Sequence, residues 1–487
     1  MPHHFSAGNV AQNLQNKKAC VIGAGPNGLA AAIVLAQAGL SVEVFEAESQ
    51  PGGAARTMEL TLPGFQHDFG SAVHPMAVGS PFLSALPLHN FGLEWIHPPV
   101  PLAHPLDDGT AVLLERNFDD AQVAFGEDGA SWRDLMEPLA TNWADLAHDI
   151  LRPLLAWPRH PLLLARFGMN ALPSARFVAQ RRFRTERVRA LFAGLSAHSF
   201  LSLDQMLSAS FGMVMGVSAH AVGWPIPRGG AQSITKAMAG YLVAMGGHIH
   251  TSTRIEDLGQ LPPCDVTLCD LTPQQLLHIS GEKLSRSYRN RLMRFRYGPG
   301  AFKVDYALAS PIPWTAAECL RAATVHVGGS MQEIAASEAA VAQARVSERP
   351  FVLVVQPTLF DSSRAPKDKH IAWAYCHVPN GSQIDYLETL EGQIERFAPG
   401  FRDCVLARRV WAPADLETMD ANLVGGDING GVMDMLQFLF RPTWRQYRTS
   451  AQDLYLCSSS TAPGGGVHGM CGYNAARMAL LRLYRTT

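Results

Sequence analysis

A chain of 487 residues, 47% of them apolar and 17% charged, has room for about two to four domains and apolar material for a large core. That excludes a disordered or fibrous protein. Forty Lys and Arg against 42 Asp and Glu leave a formal net charge of -2, so no global field draws the chain to nucleic acid.

The start, Met1-Pro2-His3-His4-Phe5, has no basic segment followed by an apolar one, so no secretory leader is expected. Ala19-Cys20-Val21-Ile22 reads as a buried parallel strand. It runs into Gly23-Ala24-Gly25-Pro26-Asn27-Gly28, and Leu29 to Ala36 reads as a helix that Gly39 ends. Ser41 to Glu46 alternates as a second strand. This strand, glycine turn, helix and strand form a dinucleotide fingerprint. Gly23 permits the tight turn, Gly25 leaves room for a pyrophosphate, and Gly28 lets helix and strand pack closely. The helix N-terminus offers free N–H groups to the phosphates. Glu46, 23 residues after Gly23, can accept from ribose hydroxyls and disfavours a 2′-phosphate, which argues against NADP. Ala47 follows it, and then Gly52-Gly53-Ala54-Ala55-Arg56 forms a second glycine turn.

Further along, no apolar segment is long enough to cross a bilayer; the stretch Ala30–Leu40 is short and broken by Gln37 and Gly39. Pro161 to Gly168 and Ala179 to Arg184 mix apolar and basic residues, which suits a peripheral membrane contact; a solvated helix face is the commoner meaning of such a pattern. Met435 to Phe440 suits the wall of a substrate tunnel or plain core. Leu454 to Cys457 reads as a strand, followed by a loop with five glycines between Gly464 and Gly472 and a helix from about Tyr473. That many glycines are costly unless backbone must approach a ligand. The eight cysteines contain no C-x-x-C pair, so neither a zinc ribbon nor a dithiol is expected, and no metal site. The cytoplasm, a reducing compartment, is the expected location.

Glu46 and Gly52-Gly53 match the E-x-x-x-x-x-G-G pattern of glutathione-reductase-type flavoproteins, which implies FAD as the cofactor. Together with the C-terminal glycine loop, the chain resembles the phytoene desaturase-like branch of FAD-dependent oxidoreductases, related to the flavin amine oxidases. Pro225-Ile226-Pro227-Arg228-Gly229-Gly230 is similar to that branch's central glycine segment, and Cys264 to Pro273 to the strand after it. The resemblance implies adenine contacts from Arg254 and Ile255, on a strand Thr253–Glu256, and flavin contacts from Ser459, Gly466, Val467, His468 and Gly469. Ser458-Ser459 stands where relatives often carry a Gly followed by Ala or Asp. The implied fold is α/β: a glutathione-reductase-type FAD-binding Rossmann domain, discontinuous over 1–84, 222–290 and 445–487, with an α+β substrate domain over 85–221 and 291–444.

Three positions are candidates for chemistry. Lys303, within Gly300 to Ala307, matches the amine oxidase lysine that holds water at the flavin, or else is a strand lysine paired with Asp305. His74 ends a segment, His67 to His74, that the resemblance puts beneath the flavin ring, where it is a base or a structural histidine. His468 faces the ring or braces its loop. The implied activity is dehydrogenation of a hydrophobic small molecule by hydride transfer to the flavin. The alternatives are amine oxidation, alkene saturation or isomerisation, and, without chemistry, binding of prenylated partners as in GDP-dissociation inhibitors. No second G-x-G-x-x-G unit follows a strand, so oxygen or a quinone is the expected electron acceptor.

Overall fold

The computed structural model describes residue 14, residues 16–153 and residues 156–486. The leader reading at Met1 to Phe5 lies outside them. Four of the five residues in the strand Lys18–Ile22 are buried, because parallel strands pair with both its edges and a core covers each of its faces. The five-stranded sheet runs Leu454–Leu456, Val266–Cys269, Lys18–Ile22, Ser41–Phe45, His248–His250, and every pairing is parallel. Val21 stands opposite both Val44 and Leu268. A strand buried on both faces must be apolar throughout, which is why its sequence does not alternate. Val21 enters one core with the helices Pro26–Gln37, Gln232–Ala244 and Met470–Thr486; Cys20 and Ile22 enter the other, under Pro273–Ile279 and Arg286–Leu292.

Pro26 begins the first helix, three residues earlier than its apolar run suggests, since proline's missing N–H costs nothing there. The last helix begins at Met470 rather than Tyr473. A Cβ on Gly472 would lie 1.8 Å from the Asn27 carbonyl oxygen, so only glycine lets these two helices pack so closely. The expected strand Thr253–Glu256 is not formed. The strand is His248–His250, and the chain then leaves the sheet as its backbone turns to bond Glu46 and Glu48, through Thr253 N and Ser252 N.

A second, seven-stranded sheet runs Val405–Trp411, Gly300–Leu308, His370–Val378, Val352–Val355, Ala322–Val327, Val100–Pro105, Ala111–Leu114. All its pairings are antiparallel except Ala322–Val327 with Val100–Pro105. Gly300–Leu308 shows the two-residue period: Phe302, Val304, Tyr306 and Leu308 face a core closed by the helix Leu387–Phe397. Ala301, Lys303 and Asp305 face the other way. A layer of helices from Gly129–Ala140 to Ser208–Ala221 lies over that side. The apolar run Met435–Phe440 is a short helix without one buried residue, which corrects the reading of it as core; Phe438 instead borders a cavity. The fold is α/β, a Rossmann-type parallel sheet joined to a mixed sheet with a helical cover.

Candidate active site

The first glycine turn is fixed by what its neighbours accept. Both Glu46 carboxylate oxygens are used by backbone, from Ala24 N at 2.7 Å and Glu48 N at 2.9 Å. Gly52 N donates to Ala24 O at 3.0 Å, which ties the second glycine turn to the first. A Cβ on Gly53 would lie 3.1 Å from the Gly25 Cα, so the two turns meet with no room for a side chain. Arg56 is buried and braces them: it donates to Gly53 O at 2.8 Å and Met419 O at 2.7 Å, and stacks over Phe69.

Asp270 also belongs to this cradle. It follows the strand Val266–Cys269 and accepts from Gly28 N at 2.8 Å, at the start of the first helix. Burial pushes its carboxyl up to about 7, with the Gly28 bond opposing and the Asp420 and Glu46 charges adding. Burial raises Asp420 as well. Carboxyls held towards neutrality are compatible with a diphosphate beside them; two full charges would repel it.

The C-terminal loop completes the other side. Ser458 Oγ donates to Leu271 O at 2.7 Å, and the buried Arg441 donates to Gly430 O at 2.6 Å and Ser459 O at 3.0 Å. Burial lowers Arg441 to about 10, opposed by Asp427, so it is still a cation behind the glycines.

Between cradle and loop opens a cavity of about 920 Å³. It passes Gly25 to Asn27, Gly53-Ala54, Ser459 and Gly465 to His468, then continues between the mixed sheet and the helices to the helix Pro161–Ala171. Its walls are largely apolar, with Phe200, Trp224, Trp373 and Tyr375 among them. Of the sequence-derived cofactor residues, Gly25, Pro26, Asn27, Gly53, Ala54, Ser459, Gly466, Val467 and His468 border this space. Gly23, Gly28, Glu46, Ala47, Gly52, Arg56, Arg254, Ile255 and Gly469 are not among the residues that line it; Arg254 is exposed, and the Ile255 side chain is core.

All three candidates for chemistry border the cavity. Lys303 Nζ donates to both Asp305 oxygens at 2.6 Å and to Asp68 O at 3.1 Å, and lies over Trp373. Asp305 accepts from Trp411 Nε1 at 2.8 Å, and burial raises it while Lys303 holds it down. The strand pairing with Asp305 is thus present, and the lysine still reaches the cavity wall. His74 is lowered to about 4 by burial, and its Nε2 has no partner among the described residues. His468 is also lowered to about 4 by burial; its Nδ1 accepts from Met470 N at 3.0 Å and caps the last helix. That bond braces the loop, and the residue still borders the cavity.

Trp373 and Tyr375 were missed from sequence, although Ala372-Trp373-Ala374-Tyr375 alternates and so aims both rings to one side. Their rings are 5.7 Å apart, beside Lys303, whose strand partner is Tyr375.

Fold and site together define an oxidoreductase with a Rossmann-type dinucleotide-binding part. A family described as NAD(P)-binding Rossmann-like domain matches residues 21–83. The chain is 25% identical to the rat protein named pyridine nucleotide-disulfide oxidoreductase domain-containing protein 2, over 94% of this chain and 92% of that one. It is 25% identical to the lycopene-forming phytoene desaturase of Pseudescherichia vulneris, over 96% and 99%. Its fold is similar to an oxidoreductase from Methanosarcina mazei, with TM-score 0.63, 18% identity and 95% and 99% coverage. Wild-type putrescine oxidase gives TM-score 0.59, 16% identity and 97% and 99% coverage. The resemblance to phytoene desaturase-like oxidoreductases, related to the flavin amine oxidases, therefore holds over nearly the whole chain.

Proposed function

We propose that the chain is an FAD-dependent dehydrogenase of a hydrophobic organic substrate, forming a carbon–carbon double bond. The observation that carries this reading is the continuous apolar cavity that begins at two glycine turns and ends at the helix Pro161–Ala171. Gly25 to Asn27 and Gly53 would hold a diphosphate, Glu46 the ribose, the backbone near Arg254 the adenine, and Gly466 to Gly469 the flavin ring. The second glycine turn favours FAD over NAD, and the Glu46 carboxylate disfavours NADP. FAD, when bound, accepts a hydride.

The chain's own residues supply the rest. The apolar walls exclude water and orient the substrate carbon chain. His74, neutral above about pH 4 and with Nε2 free, takes the proton from the carbon next to the one oxidised. Lys303, held by Asp305, fixes the polar end of the reaction space. On this reading 1–84, 222–290 and 445–487 form the cofactor part, and 85–221 with 291–444 the substrate part. We also assign a peripheral membrane contact, from the cytoplasm, to the cavity mouth: Trp157 and Leu162 are each 87% exposed, and Arg159 and Arg166 flank them. No helix among the described residues is long and apolar enough to cross a membrane.

One observation favours a second reading. Trp373 and Tyr375 form an aromatic pair beside Lys303, which suits an amine held over a flavin. A single experiment separates the two. The purified protein is examined for flavin absorbance and for FAD released by heat, then titrated anaerobically with lipophilic alkenes and amines. Bound FAD bleached by an alkene precursor supports the first reading, and bleaching by amines alone selects the second. A colourless protein that takes up no added FAD overturns both.

A further inference from the structure

We infer that the cavity contains, on its mixed-sheet wall, a binding site for an oxygen-bearing end group, a hydroxyl or carbonyl, of an otherwise apolar substrate. This rests on the function proposed above and names the substrate class.

The strand Ala322–Val327 presents Thr324 and His326 to the same side, two residues apart. Thr324 borders the cavity, is 3% exposed, and its hydroxyl has no partner among the described residues. Its partners across the sheet are both apolar, Val355 on one side and Leu102 on the other. An unmet buried hydroxyl is destabilising where valine would fill the same space.

His198, at the end of the helix Glu186–Ala197, also borders the cavity. Its Nε2 lies 3.0 Å from His326 Nε2, so one ring must donate and the other accept. His326 Nδ1 has no partner among the described residues and faces Gly194, where a Cβ would come within 2.8 Å of it. A bare N–H buried against a Cα is less tolerable than a bare lone pair. The His326 proton therefore sits on Nε2 and is donated to His198 Nε2. Burial lowers both imidazoles, His198 to about 3, so each is neutral and carries one proton. That leaves the His198 proton on Nδ1. The wall thus offers an N–H donor from His198 and a hydroxyl from Thr324, set among Leu353, Val355 and Trp224. A pure hydrocarbon would leave both groups unmet; an alcohol or carbonyl oxygen satisfies them.

The test uses the flavin-loaded protein and two probes of equal length, geranylgeraniol and the corresponding hydrocarbon without the hydroxyl. Binding is followed by quenching of tryptophan fluorescence, since Trp224 and Trp373 border the cavity. The alcohol is expected to bind about ten- to a hundredfold more tightly. Thr324→Val should remove most of that preference, weakening the alcohol and not the hydrocarbon, and Thr324→Ser should restore it. Equal affinities, binding of neither probe, or a preference that survives Thr324→Val would overturn the inference. The readout does not use the flavin, so loss of the FAD reading shows separately, as absent flavin absorbance.

Discussion

Asp270 offers a test of the cradle in which the sign of the effect is fixed by burial. Its carboxyl moves from an ordinary value of 3.8 to about 7 in the folded chain. An acid whose folded value is raised binds more protons folded than unfolded between those two limits. Stability therefore falls as pH rises from about 4 to 7, by about 1.4 kcal/mol per unit, or about 4 kcal/mol in all. The value of about 7 already includes the Gly28 bond, and the helix N-terminus opposes the shift further, so about 4 kcal/mol is the ceiling. Asp270→Asn keeps an oxygen for Gly28 and cannot ionise. The flavin-free variant should melt higher than the parent at pH 8, with the difference vanishing near pH 4. Removing the charge should also tighten FAD binding at pH 8, read by fluorescence titration. Identical pH slopes for the two proteins, or weaker FAD binding by the variant, would refute the reasoning.

Four other outcomes follow from the same geometry. Lys303→Met strands the buried Asp305 and should cost about 3–5 kcal/mol of stability, while adding Asp305→Asn should recover much of it in thermal melts. His74→Gln should slow anaerobic flavin bleaching by about 10²- to 10⁴-fold with FAD content unchanged, and the parent rate should fall as pH drops through about 4, where the base becomes protonated. Gly472→Val drives a side chain into the Asn27 carbonyl, so soluble yield and bound FAD should both collapse. Leu162→Asp with Trp157→Asp should reduce sedimentation with anionic vesicles and leave the melting temperature within about 1 °C, since both side chains are exposed.

The nucleotide half was legible in the sequence because its constraints are local. Gly23 to Gly28, Glu46 and Gly52-Gly53 lie within one strand, helix and strand, and their spacing alone requires a backbone cradle. The partners arriving from afar were not legible. Asp270 reaches Gly28 across 242 positions, and Arg441 reaches the C-terminal loop by the burial of a charge that sequence reading assigns to the surface. The cavity wall on the mixed sheet depends on which face of a strand looks inward. The alternation of Ala372 to Tyr375 was visible, but only the register against Lys303 and Leu353 shows that both rings meet the cavity. Strand placement failed at Thr253–Glu256, where backbone bonds to Glu46 and Glu48 took the place of a sheet pairing.

The order of strands in the five-stranded sheet also dictates when a nascent chain can complete its dinucleotide cradle. Lys18–Ile22 leaves the ribosome early, yet its neighbour Val266–Cys269 comes far later, and the outer strand Leu454–Leu456 follows almost at the end. The mixed sheet is fully synthesised before that last strand, the glycine loop and the helix Met470–Thr486 emerge. The dinucleotide site is therefore complete only at the end of synthesis, and translation halted between Trp411 and Leu454 yields a chain with every strand of the mixed sheet and only half a nucleotide cradle.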